Sequence, residues 1–135
     1  MSLYSEKFNI IIKELLEIGD INIEDINSVH KCIHVLQKFH REIEDFLKYE
    51  CILLSEFELK HAMFDPHLIE VQNIFAQSIN DLIRYEGRSL FKAACSLKVC
   101  YRLVAFFLSY INDYNRSAGM PDCIEDIIQL MNLQI

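Results

Sequence analysis

Ile79-Asn80-Asp81-Leu82-Ile83-Arg84-Tyr85-Glu86-Gly87-Arg88 is the stretch on which the reading of this chain turns. A helical pattern runs into a glycine, and the arginine after it opens a long, nearly apolar segment. Gly87 supplies the backbone freedom for a tight turn between two packed helices, and Arg88 places a permanent, forked charge at the start of the next one. Helix N-termini already carry partial positive charge, so an arginine there does nothing for helix stability. Its natural partner is an outside carboxylate; the plain alternative is a solvated surface charge.

Working outward, the pattern after Gly87 predicts a helix from about Arg88 to Tyr110 that is apolar nearly all round, as for an element surrounded by others. Before it, Asp65-Pro66 is an N-cap followed by a first-turn proline, and Leu68, Val71, Ile74, Phe75, Ile79 and Leu82 form one buried stripe. Nearer the start, Phe8, Ile11, Ile12, Leu15 and Leu16 predict a helix over 3–18, with Gly19 as its stop. Asn22 and Asp25 resemble a capping pair, and Ile26, Val29, Ile33, Leu36, Ile43, Phe46 and Leu47 carry a second helix over about 23–48. Residues 49–64 are apolar but less regular and predict one or two short helical turns around 52–60. Asn112 to Gly119 reads as a polar turn, and Pro121 starts a last helix bearing Cys123, Ile124, Ile127, Ile128 and Met131. The expectation is an all-α single domain over 1–135 with its central hydrophobic helix at about 88–111.

Composition agrees. A chain of 135 residues buries roughly 65–70% of its unfolded surface, enough for one core. With 52% apolar and 24% charged residues, three glycines and two prolines, disorder and strand-and-turn architectures are disfavoured. The net charge of −7 with no basic run argues against nucleic acid as a partner, because phosphate binding needs clustered lysine and arginine. Five cysteines, an odd number lying mostly in apolar helical patterns, read as reduced thiols. They imply a reducing compartment, and the N-terminus has no secretory pattern, so an intracellular, cytoplasmic location is expected. The run Val99 to Ile111 is interrupted by Arg102 and is shorter than the roughly 20 residues that span a bilayer, and the C-terminus is too short and polar for a tail anchor. No direct membrane span is expected.

The candidate chemistries are few. His30 and His34, at i and i+4 with Cys32 nearby, have a spacing that can share a metal, yet no third ligand is evident and no glutamate follows His30 as in a zincin motif. No metal site is assigned. There is no nucleophile elbow and almost no glycine from which to build a phosphate loop, so no catalytic residue, cofactor or enzymatic activity is expected. Cys95 and Cys100 fall on the long apolar helix, where burial lowers thiol reactivity.

The arginine-bearing stretch resembles the first homology motif of the Bcl-2 family of apoptosis regulators, which runs approximately Phe-x-Asp-Gly-Val-Asn-Trp-Gly-Arg-Ile-Val. Asp81, Gly87 and Arg88 match its aspartate, glycine and arginine, and Ile79 and Ile83 stand for its Phe and Val. Leu82, Tyr85 and Glu86 replace its Gly, Asn and Trp. Leu36 lies 52 positions before Arg88, close to the family's separation between the leucine of its third motif and this arginine. His40-Arg41 stands where that third motif has Gly-Asp, which marks a receptor of amphipathic helices and not a donor. The second motif, which contains tryptophan, has no match, since the chain has none.

The resemblance implies a Bcl-2-like helical bundle, with amphipathic helices around a central one. Its expected function is anti-apoptotic: the groove binds and sequesters the BH3 helix of pro-apoptotic proteins, as in the compact pro-survival members that viruses encode. Arg88 is then the expected partner of the ligand aspartate. Leu47, Cys51, Leu54, Val71, Ile74, Phe75 and Phe91 are the expected groove lining. BH3-containing proteins are the expected partners, and through them mitochondria an expected site of action. An apolar groove of this kind is also a natural homodimer surface. The rival reading is a death-fold adaptor acting by homotypic interaction, suggested by Leu15-Leu16-Glu17-Ile18-Gly19-Asp20; such domains are usually shorter and lack one long apolar central helix.

Overall fold

The computed structural model describes residues 3–19, 21–46 and 66–114, with side chains placed over 6–19, 21–46 and 70–108. These residues form four helices and short turns: α1 (Leu3–Ile18), α2 (Ile26–Asp45), α3 (Pro66–Tyr85) and α4 (Leu90–Tyr114). The described part of the chain is all-helical. The short turns expected around 52–60 and the last helix expected from Pro121 lie outside the described residues.

Helix α1 buries Phe8, Ile11, Ile12 and Leu15, one face at helical spacing. It stops at Gly19, whose φ of 64° is the left-handed conformation that closes a helix and that a Cβ disfavours. The start of α2 differs from the sequence expectation. Asp25 is the N-cap: its carboxylate accepts from Asn27 N–H at 3.1 Å and from the Ser28 hydroxyl at 2.9 Å. Asn22 instead holds the preceding turn, its side chain accepting from Glu24 N–H at 3.0 Å and its carbonyl from Asp25 N–H at 2.9 Å. Both residues are good cappers, and the one whose side chain reaches the first free helical amides sets the boundary. The Ser28 hydroxyl, helped by backbone amides, holds the Asp25 carboxyl below its ordinary range.

Helix α2 touches each of the other three, packing on α1 and α3 and, less extensively, on α4. It does so because its buried residues cover a broad arc: Val29, Cys32, Ile33, Val35, Leu36, Phe39 and Ile43. A chain of aromatic rings crosses the bundle through it. Phe8 of α1 lies 5.6 Å from Phe39 of α2, Phe39 lies 6.0 Å from Phe75 of α3, and Phe75 lies 6.1 Å from Phe107 of α4. Four helices each contribute one fully buried ring, and each ring is worth roughly 1.5–3 kcal/mol of apolar burial before its edge contacts are counted.

Helices α3 and α4 form an antiparallel hairpin. Leu82, Ile79 and Phe75 on one side meet Ala93, Leu97, Cys100, Val104 and Phe107 within the same core. The small Ala93 and Ala94 near the start of α4 are both buried and bring little side-chain bulk to the packed face. The opposite face of α4 is open among the described residues: Phe91, Val99 and Phe106 are exposed, at 74%, 39% and 43%. The helix expected to be surrounded on all sides therefore has a packed side and an open one. No helix among the described residues is long and apolar enough to cross a membrane.

Candidate functional site

The α3–α4 turn is built by Gly87. At a φ of 70° it reverses the chain so that the N–H groups of Arg88 and Ser89 both reach Tyr85 C=O at 3.0 Å, while Glu86 N–H completes the last α3 turn on Leu82 C=O, also at 3.0 Å. Ser89, not Arg88, then starts the next helix. Its carbonyl accepts from Ala93 N–H at 2.9 Å, and its hydroxyl faces Lys92 N–H at 3.4 Å. Arg88 was expected to open α4 but sits one residue before its cap, because serine can satisfy free first-turn amides and arginine cannot.

The turn is anchored to α2. Glu86 folds back so that its Oε1 accepts from His30 Nε2 at 2.7 Å, and a Cβ on Gly87 would meet Ile26 Cδ1 at 3.5 Å. Glu86 Oε2 is buried without a hydrogen-bond partner among the described residues, and the hydrogen bond to the largely exposed His30 serves to position the turn. His30, considered above with His34 for a metal, is thus engaged across the bundle.

Around this anchor stands a cluster of cations. Arg84 and Lys92 lie over the Tyr85 ring, 5.6 Å and 5.0 Å from its centroid. Arg88 is exposed and has no carboxylate partner among the described residues. Beside it are three exposed apolar side chains, Ile83, Leu90 and Phe91. Phe91 is the most exposed large apolar residue among the described ones.

The expected groove residues fall into three sets. Arg88 and Phe91 are both exposed and lie three positions apart, at the turn and in the first turn of α4. Val71 is half-buried against the core and Ile74 is 51% exposed, both in the first half of α3 and away from the turn that carries Arg88. Phe75 is wholly buried, its ring against Phe39, His40 and Phe107, and packs the core. Leu47, Cys51 and Leu54 lie outside the described residues. Asp81 accepts a hydrogen bond from Gln77 Nε2 at 3.0 Å along its own helix. It precedes Gly87 by six positions where the family motif has five, so Arg84 is one residue too many and the motif match holds on either side of it, not through it.

Sequence reasoning missed two features. The His30–Glu86 pair joins residues 56 apart, and no local pattern signals it. The other was legible: from Leu82 to Asn112 the chain has five basic residues and a single acid, Glu86. Spread at helical intervals, they do not form a run.

Concave surfaces also occur elsewhere, one of about 250 Å³ between α1 and α2 and another of about 320 Å³ between α2 and α3. Four of the charges lining the first pair with each other, Lys38 with Glu14 at 3.1 Å and Lys7 with Glu42 at 4.0 Å, and Arg41 stands beside them. Comparison of the chain with protein-family models, curated proteins and solved structures gives no match.

Proposed function

We propose that this chain is an anti-apoptotic, non-enzymatic helix receptor of the Bcl-2 type, which captures the amphipathic BH3 helix of pro-apoptotic proteins beside α4. The observation that carries the reading is the state of Arg88: an exposed residue at a glycine turn, without a carboxylate partner among the described residues, three positions before the exposed Phe91. A ligand helix with apolar residues at i, i+3 or i+4, and i+7 and one aspartate between them complements that pairing of charge and hydrocarbon. The groove in this proposal is that of a Bcl-2-like bundle with α4 as its central helix, and its action is cytoplasmic sequestration, at mitochondria where the partners reside.

Calorimetric titration of the full chain with BH3 peptides tests the proposal, with a paired peptide in which the aspartate is alanine. Binding at about 1 μM or tighter, lost with the alanine peptide, supports it. No heat across the panel overturns it.

A further inference from the structure

The five basic residues of the segment from Leu82 to Asn112 and its single acid give it a net +4, within a chain of −7, so the remaining residues carry −11. Such an uneven distribution asks what neutralises the basic part. Nothing described in the fold does. Elsewhere among the described residues Lys38 pairs with Glu14 and Lys7 with Glu42, while Lys13, Lys31 and Arg41 stand without an ion pair on helices that also carry acids. Among the described residues Arg84, Arg88, Lys92, Lys98 and Arg102 form no ion pair, and Arg84 and Lys92 have the Tyr85 ring as a substitute.

What sets this segment apart is its excess of base over acid and the alignment of part of it. Phe91, Cys95, Lys98 and Arg102 follow one another at three- and four-residue steps, so they form a single ridge on the open side of α4, with Val99 beside it. The ridge continues the line that begins at Arg88. From Leu90 to Arg102 it extends about 18 Å at 1.5 Å per residue, the length of three turns of a ligand helix. Phe91 and Val99 are the apolar points along it, and Lys98 and Arg102 are cations about three and four turns beyond Arg88.

We infer that this ridge selects ligand helices carrying several acids: one to meet Arg88, and others on the ligand's flank to meet Lys98 and Arg102. The inference rests on the helix-receptor reading and specifies its ligand class. A helix is about 10 Å wide and engages a ridge one helix wide without approaching the rest of the surface. Charge complementarity on a ridge of that width favours an acidic helix as its occupant.

The test uses two peptides of about 20 residues with the same apolar positions and central aspartate, one of which carries three further glutamates on its flank. Their affinities for the full chain and for the K98Q/R102Q variant are compared at about 50 mM and 300 mM salt, with circular dichroism as a check on folding. In the wild type the acid-rich peptide binds about tenfold tighter at low salt, and most of that gain disappears at high salt. In K98Q/R102Q the gain falls below about twofold while the single-acid peptide binds as before. Equal binding of the two peptides to wild type overturns the inference and leaves the receptor reading standing. A gain that survives in K98Q/R102Q also overturns it, since the acids are then met elsewhere. If neither peptide binds, the receptor reading fails and takes this inference with it. Co-sedimentation with phosphatidylserine vesicles that depends on Lys98 and Arg102, without discrimination between the peptides, assigns the ridge to lipid and overturns it as well.

Discussion

The ring of Phe39 on α2 meets the ring of Phe75 on α3 edge-on, with centroids 6.0 Å apart and planes at 87°. Phe8 and Phe107 extend this contact to α1 and α4, so Phe39 is the ring through which the first helix is joined to the α3–α4 hairpin. Phe39→Ala is expected to cost about 3–5 kcal/mol, the range for deleting a fully buried ring that leaves a cavity. The urea midpoint should fall accordingly with little change in slope, which separates loss of packing from a change in the unfolded chain.

Gly87→Ala isolates the turn. The new Cβ would make ordinary contact with Ile26 at 3.5 Å, so sterics with the neighbour add little and the left-handed backbone decides the outcome. A loss of about 1–2 kcal/mol is expected by thermal or chemical denaturation. Gly87→Asn should lose less, because asparagine tolerates that conformation.

Burial pushes the Cys32 thiol from its ordinary 9.0 up to about 12, with the hydrogen bond to Tyr101 pulling the other way. Cys100 is raised as well, again chiefly by burial. The folded chain therefore keeps protons that the unfolded chain releases. Stability is at its full value below about pH 9 and falls as pH climbs toward 12. Cys32→Ala should flatten that alkaline decline in a series of denaturation curves. At pH 8, peptide mapping after brief alkylation should find Cys95, which is only half-buried, modified ahead of Cys32 and Cys100.

Arg88→Ala removes the exposed guanidinium without touching the core. It is expected to weaken a BH3-peptide complex at least about tenfold, within the range for truncating one partner of a charge pair at an interface. The melting temperature should hardly move, since no carboxylate among the described residues loses a partner. Unchanged peptide affinity in this variant would take Arg88 out of the mechanism.

Much of the helical order was legible because its punctuation is local. Gly19 ends α1 and Pro66 starts α3 where those residue types say they should. Boundaries slipped where two capable residues compete: Asn22 against Asp25 before α2, and Arg88 against Ser89 before α4. In both places a hydrogen bond to a particular amide decided, and spacing alone does not reveal which side chain reaches it. The candidate site was legible in part. Arg88 and Phe91 could be paired from sequence because one turn joins them. That Phe75 belongs to the core while Ile74 faces outward depends on which neighbours close over α3, and that is set by α2 and α4, far away in the chain.

Tyr85 has a use that follows from its two cations. The chain contains no tryptophan, so its near-ultraviolet spectrum belongs to six tyrosines. Tyr85 lies beneath Arg84 and Lys92 at the turn, while Tyr101 is sealed in the core against Cys32. A carboxylate arriving at the turn would draw charge off the Tyr85 ring and shift its absorption band, with Tyr101 unaffected. The protein thus carries its own optical sensor at the proposed site and a silent internal standard, and a Tyr85→Phe difference spectrum would identify occupancy without dye or label.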